Sequence, residues 1–145
     1  MDDFTLVTAV DKRPLYTNFY AHKHDFRRWF DEMMVWGENG RCFWLVCWRD
    51  GDLIGNGQLL IYLHGAELAN IAITPAWQGQ GIGTAIIAAL ETIAREKGLA
   101  ELEIGVDVEN GRALALYERL GYVEDRKIEL LGETAVVLCK KLQAS

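Results

Sequence analysis

The sequence predicts an α/β (α+β) fold, a mixed central sheet of about seven strands with helices on both faces. Three observations predict it. Short apolar or alternating stretches at 4–10, 42–48, 52–63, 66–73, 101–106, 122–130 and 134–142 have the length and patterning of strands. Helix-periodic stretches at 15–37, after residue 84 and at 110–120 separate some of them. Interleaved strands and amphipathic helices bury their apolar faces by laying helices on a sheet.

Each element has its own local reason. Residues 4–10 alternate weakly and read as a first strand. Residues 15–37 read as one or two helices, with Phe19, Phe26, Trp29, Phe30, Met33, Met34 and Trp36 on apolar faces. Asp50-Gly51 is a hairpin signal between strands 42–48 and 52–63. Gly65 permits a tight turn into 66–73, and Pro75 ends pairing because it lacks an N–H. The following helix runs to Lys97 and stops at Gly98. The helix at 110–120 places Ala113, Leu116, Tyr117 and Leu120 on one face and ends at Gly121. Leu131-Gly132-Glu133 joins the last two strands.

Composition narrows the function classes. The 145 residues suit one domain, expected to span 1–145, with half of them hydrophobic. No run is long enough to span a membrane, and Met1-Asp2-Asp3 lacks a signal-peptide pattern, so a cytoplasmic location is expected. Cys42, Cys47 and Cys139 are an odd set on apolar segments, which reads as buried thiols in a reducing compartment. No cysteine or histidine spacing suggests a metal site. A net charge of −6 argues against a nucleic-acid partner and mildly favours a cationic one.

The chemistry concentrates in Gln78-Gly79-Gln80-Gly81-Ile82-Gly83-Thr84. A strand-like run, Leu68 to Ile73, leads into it, and the helix periodicity of Ile86, Ile87, Leu90, Ile93 and Ala94 follows. Glycines at every second position leave backbone N–H groups uncovered next to a helix N-terminus, which makes an anion site suited to phosphate or pyrophosphate. A Walker loop needs a lysine before the Ser/Thr, and Gly83-Thr84 has none. A dinucleotide fingerprint read from Gly79 finds its third glycine one position early. The pattern that fits is Gln/Arg-x-x-Gly-x-Gly/Ala, at Gln78, Gly81 and Gly83. A second segment, Asn110-Gly111-Arg112-Ala113-Leu114-Ala115-Leu116-Tyr117-Glu118-Arg119-Leu120-Gly121-Tyr122, fits Asn-x-x-Ala-x-x-Leu-Tyr-x-x-x-Gly-Phe/Tyr throughout.

Together these motifs resemble the GNAT superfamily of acetyl-CoA-dependent N-acetyltransferases, over about residues 42 to 142. The resemblance implies a mostly antiparallel sheet in which strands 66–73 and 101–106 splay apart to admit acetyl-pantetheine. It assigns the pyrophosphate to the backbone of Gly79, Gln80, Gly81, Ile82, Gly83 and Thr84, with Gln78 at the loop's entrance. It assigns pantetheine contacts to Ile71, Ala72 and Ile73, with the Ile73 N–H polarising the thioester carbonyl. Asn110 caps its helix, contacts CoA, or both, and Arg112 either reaches a CoA phosphate or is solvated. Tyr117 is either a core tyrosine or the group that serves the leaving sulfur. A phenol near pKa 10 protonates a thiolate near 8.5 only uphill, by about 2 kcal/mol, so Tyr117 serves mainly as a hydrogen-bond donor.

Glu67 precedes Gln78 by eleven positions, the offset of the catalytic glutamate in histone-type members. It is the candidate base, with Asp107 and Glu103 behind it and solvent as the remaining option. The expected acceptor is a small-molecule or peptide amine, in a pocket drawing on Trp29, Phe30, Trp36, Tyr62 and His64, several of which suit the core equally well. No cysteine has a visible base partner, which favours direct attack in a ternary complex. A non-catalytic acyl-CoA-binding module and a transferase of another acyl group are the alternatives, and a homodimer is compatible with the sequence.

Overall fold

The computed structural model describes residues 3–143. Seven strands form one sheet in the order β1-β2-β3-β4-β5-β7-β6. They are β1 (Asp3–Leu6), β2 (Cys42–Arg49), β3 (Asp52–Tyr62), β4 (Gly65–Ile73), β5 (Glu101–Asp107), β6 (Val123–Leu130) and β7 (Glu133–Lys141). Every neighbouring pair is antiparallel except β4 and β5. Helices α1 (Lys12–Leu15) and α2 (Phe26–Glu38) precede β2, α3 (Ile82–Glu96) links β4 to β5, and α4 (Gly111–Arg119) links β5 to β6. The mixed, mostly antiparallel sheet predicted from sequence is therefore the observed one.

Each sheet face has its own core. Ile82, Ile86, Ile87, Leu90 and Ala94 of α3 and Tyr117 of α4 pack on Leu59, Leu68, Leu102 and Ile104. On the opposite face Phe26, Phe30 and Met33 of α2 join Leu15 and Tyr20 over Trp44, Val46 and Leu60. Helices on both faces leave the sheet's ends as the accessible places.

The turns follow the local chemistry. Asp50 and Gly51 both take positive φ, as do Leu131 and Gly132, which gives each hairpin the twist that matches its strands. Gly98 and Gly121, at φ 76 and 98, end α3 and α4.

Two local expectations change. The first strand stops at Leu6, not residue 10, because Thr8 and Asp11 form a capping box that starts a 3-10 turn over Ala9–Asp11. Gly65 is not the turn residue between β3 and β4. It pairs with Tyr62 as the first residue of β4, and Leu63 and His64 form the turn. The 15–37 region contains a single long helix, α2, preceded by the short α1 and a π-helical turn at Tyr16–Tyr20.

Gly55 and Gly57 of β3 allow β4 and α3 to close over them. A Cβ at Gly57 would lie 2.6 Å from Ile71 Cδ1 and 2.8 Å from Ile86 Cγ2. Gly57→Ala is expected to lower stability by about 1–3 kcal/mol, since a well-packed site takes an extra methyl only by displacing its neighbours. Chemical denaturation checks this, and an unchanged midpoint would mean that Ile71 and Ile86 repack freely.

Candidate active site

The site begins where the β4–β5 ladder stops. Only Glu67↔Glu103 and Leu68↔Ile104 are paired between these strands. Beyond them each strand stays with its other neighbour: β4 pairs with β3 as far as Ile73, and β5 pairs with β7 as far as Asp107. The two halves of the sheet therefore diverge, and residues 69–73 and 105–107 face each other across a gap. Backbone polar groups at such an edge need partners from outside the sheet.

A β-bulge at Asn70 shapes the β4 side. Asn70 has φ 55, and the register steps from Gln58↔Ala69 to Asn56↔Ala72. Asparagine tolerates this left-handed conformation better than most residues. The extra residue changes the parity of the strand. Ala66 and Leu68 face α3 before the bulge, and Ile71 and Ile73 face it afterwards. The backbone of Ile71, Ala72 and Ile73 is thereby presented along the gap while the isoleucine side chains are anchored in the core.

The glycine loop closes the same end. Gly79 and Gly81 take φ 78 and 81, and Gly81 is the N-cap of α3 with no side-chain cap. The first intrahelical bond is Ala85 N–H to Gly81 O, at 3.0 Å, so the N–H groups of Ile82, Gly83 and Thr84 point out of the helix end without acceptors within it. A Cβ at Gly81 would meet nothing within 4 Å, so the glycine's outer side is open. Gly83 has a different part. Its missing side chain faces Ile73 at 3.9 Å and Leu116 at 4.0 Å, so it lets the first turn of α3 settle between β4 and α4. Gln78 ties the loop to the strand, with Nε2 donating to the Ile73 carbonyl at 3.1 Å. Gln80 is exposed.

The second motif packs against the first. Arg112 Nη2 lies 3.7 Å from the position a Gly79 Cβ would take, which brings a guanidinium beside the glycine loop. Asn110 caps α4, its Oδ1 accepting from Ala113 N–H at 3.2 Å. Tyr117 is 8 % exposed and faces the α3 side of the sheet. Burial pushes its phenol pKa up, so it remains protonated through the ordinary working range.

Buried polar contacts hold α4 in place. Tyr122, just past the helix, packs edge-on against Tyr117 with ring centroids 6.4 Å apart, and its backbone N–H donates to Tyr117 O. The Tyr122 hydroxyl donates to buried Glu91 of α3 at 2.7 Å, and Lys140 of β7 reaches the same carboxylate at 3.0 Å. Three elements are thus pinned around the tyrosine pair.

The acidic candidates lie on the other face. Glu67 alternates with Ala66 and Leu68, so it faces the α2 side, and it accepts a hydrogen bond from the Tyr62 hydroxyl. The Tyr62 ring rests edge-on against Trp36 of α2 at 5.7 Å. Partial desolvation of the hydroxyl, followed by the Glu67 contact, raises the Tyr62 pKa and keeps it a donor. Glu103 is held by Arg126 at 3.1 and 3.3 Å, and Asp107 accepts from the Glu109 N–H at 2.8 Å. Glu103, Asp125 and Cys139 come together, but Arg126 already bridges the two carboxylates. Of the aromatics expected around an acceptor, Phe30 is core, while Tyr62 and His64 are exposed.

The structure therefore gathers the glycine loop, the end of β4 and the start of α4 at one mouth of the gap. Asn70 was not singled out from sequence, although an asparagine inside an apolar strand is a signal for a bulge.

Residues 8–122 match the Acetyltransferase (GNAT) family. The chain belongs to that family. It is 41% identical over 64 residues, 44% of this chain and 43% of the other, to the [ribosomal protein bS18]-alanine N-acetyltransferase of Escherichia coli K12. It is 29% identical over 93 residues, 58% of this chain and 61% of the other, to an aminoglycoside N(6')-acetyltransferase type 1 of Stenotrophomonas maltophilia. These matches span roughly half the length of the curated relatives. The fold superposes with a TM-score of 0.78 on the PaiA N-acetyltransferase of Thermoplasma acidophilum in complex with coenzyme A, at 19% identity over 97% of this chain and 99% of that one. Among the described residues no helix is long and apolar enough to cross a membrane.

Proposed function

We propose that the chain is a single-domain N-acetyltransferase that moves an acetyl group from acetyl-CoA to a primary amine by direct attack in a ternary complex. The observation that carries this reading is the gap between β4 and β5, with the glycine loop at its mouth, Tyr117 on one face and Glu67 on the other. The residues fit the cofactor. Outward N–H groups and Arg112 suit a pyrophosphate, and the unpaired β4 edge suits the amides of pantetheine, which add like a strand. Bound acetyl-CoA supplies an acetyl group activated as a thioester.

In the reaction a C–N bond forms and the C–S bond breaks, while one amine proton leaves and the departing sulfur gains one. The backbone N–H of Ile73 serves the carbonyl oxygen as negative charge develops on it. Tyr117 donates a hydrogen bond to the departing sulfur. Its raised pKa makes it a poorer proton source than a free phenol, which suits a hydrogen-bond role over full proton transfer. Glu67 receives the amine proton on the α2 face, directly or through water.

The cysteines support direct transfer. Burial pushes the Cys42 thiol to about 12, and burial with nearby carboxylates pushes Cys139 to about 11. Cys47 is fully buried. A thiolate nucleophile is therefore scarce at neutral pH. Unbridged thiols also suit a reducing, cytoplasmic setting. Release of free CoA from acetyl-CoA in the presence of an amine panel tests the reading, and a chain that binds acetyl-CoA without turnover on any amine would instead be a binding module.

Gly81→Val is expected to abolish acetyl-CoA binding in calorimetry. It places a branched side chain over the anion loop at φ 81, and adds a backbone penalty of about 1–2 kcal/mol that circular dichroism would show the fold survives. Affinity within twofold of wild type would remove the pyrophosphate from this loop.

Tyr117→Phe is expected to lower kcat by about ten- to a hundredfold with acetyl-CoA affinity little changed, because the lost hydrogen bond matters most as thiolate charge develops. An unchanged kcat with chemistry rate-limiting rejects the role.

Glu67→Gln is expected to slow kcat/KM at neutral pH and to recover partly at alkaline pH, where more of the acceptor amine is already neutral. Asp107→Asn is the matched control. If only the control loses activity, the base lies on β5. If neither profile changes, solvent takes the proton.

A further inference from the structure

This inference rests on the acetyl-transfer reading and concerns its acceptor. Among the described residues three buried side-chain polar atoms have no hydrogen-bond partner: Asn56 Nδ2, Gln58 Nε2 and Thr74 Oγ1. Asn56 and Gln58 lie on β3, one strand in from the gap, and Thr74 follows the last residue of β4. Asn56 and Gln58 are fully buried and point to the α2 face, the face that carries Glu67.

The orientation of Asn56 is determined by its neighbours. Its Oδ1 accepts from Trp44 Nε1 at 3.0 Å and from the Tyr20 hydroxyl at 2.7 Å. An indole N–H only donates, so Oδ1 must face it and Nδ2 is left over. Gln58 Oε1 accepts from Asn70 Nδ2 at 2.7 Å, which links the second amide to the bulge residue. A buried donor without a partner carries its desolvation penalty uncompensated, and native folds seldom keep two such donors side by side.

Their position gives them a use. Asn56 pairs with Ala72 and Gln58 with Ala69, on either side of the bulge. One strand spacing, about 4.8 Å, separates them from the open edge of β4, and the intervening side chains are only methyl groups. Same-face residues two apart on a strand are about 6.8 Å from each other, which is also the repeat of same-side carbonyls along an extended peptide. The cover above them is irregular. Tyr16–Tyr20 is π-helical and tied to β3 through Asn18 and Tyr20, and π turns recur at functional sites.

We infer that Asn56 and Gln58 form the hydrogen-bond-donor floor of the acceptor subsite, and that the acceptor is the α-amino group of an extended peptide whose first carbonyls these amides bind when the Tyr16–Tyr20 cover lifts. Alkylamines and polyamines, which present no carbonyl, leave the two donors unpaired and are poor acceptors. A substrate-shaped polar floor rejects an analogue lacking the matching group far more strongly than an apolar pocket would.

The test compares a tripeptide amide with its analogue in which the first carbonyl is reduced to methylene, both at saturating acetyl-CoA and with rates expressed per neutral amine. The wild-type chain is expected to prefer the peptide by at least about tenfold in kcat/KM. Gln58→Met keeps the volume, removes the orphan donor and is expected to erase most of that preference, with acetyl-CoA affinity unchanged in calorimetry and a thermal midpoint equal to wild type or higher. Should Gln58→Met fold poorly, Gln58→Leu, which also removes the orphan donor, is measured in its place with the same loss of preference expected. Equal rates for the two acceptors, or a preference that survives Gln58→Met, would overturn the proposal and leave the donors to buried water. Failure of the wild-type chain to bind acetyl-CoA or release CoA with any amine would instead overturn the acetyl-transfer reading beneath it.

Discussion

Everything at the site depends on β4 and β5 parting after two residue pairs. A continuous ladder would satisfy more backbone groups, so the separation has to be enforced. Two anchors do this. β5 is paired with β7 along its whole length from Glu101 to Asp107, and β4 is paired with β3 up to Ile73. On the α3 side Ile71 and Ile73 lodge over Gly57 and Gly55 against Ile86, contacts tight enough that no Cβ fits at either glycine without movement. β4 therefore cannot lean toward β5 without unpacking α3. The gap is held by the core on one face and by the bulge at Asn70 in the strand itself.

The same constraint sorts the chemistry onto two sides. The glycine loop, Arg112 and Tyr117 belong to the α3–α4 side, whereas Glu67, Tyr62 and the acidic end of β5 belong to the α2 side. A thioester in the gap would meet its nucleophile from one face and release its sulfur toward the other. On the proposed reading, that separation keeps Glu67, the candidate base, away from Tyr117, the candidate donor to the departing sulfur. The Tyr122–Glu91–Lys140 cluster, reinforced by Arg95 at 3.7 Å, fixes the tyrosine side by fastening α4 to α3 and β7.

What could be read from the chain was what short segments decide alone. Asp50-Gly51, Pro75, Gly98 and Gly121 each act through their own backbone preferences, and each does so in the structure. The two motifs were legible because backbone N–H groups at a helix start and a tyrosine one helix later need fixed local spacing. The bulge was not, since a parity change in β4 shows only against the register of β3. Gly83 read as one more phosphate-loop glycine, but its bare side faces Leu116 and Ile73, neighbours more than nine residues away along the chain. The capping box Thr8-x-x-Asp11 was present in the sequence, and weak alternation across 4–10 hid it.

The distribution of satisfied and unsatisfied polar groups separates structure from use. Glu91 is a buried carboxylate, and its environment meets it with a phenol, an ammonium and a guanidinium. Asp11 is buried and caps the Thr8 turn. These groups have structural work, and each has partners. The amides of Asn56 and Gln58 are buried as deeply, yet each keeps an unpartnered nitrogen, and the Thr74 hydroxyl is likewise alone. An unpaired buried donor costs about 1–3 kcal/mol, comparable to removing a methyl or two from a core, and an apolar side chain at either position would avoid it. Among the described residues the buried charges are met, while the unpartnered amides sit one strand in from the β4–β5 gap, which is the contrast expected of groups kept for a ligand instead of for the fold.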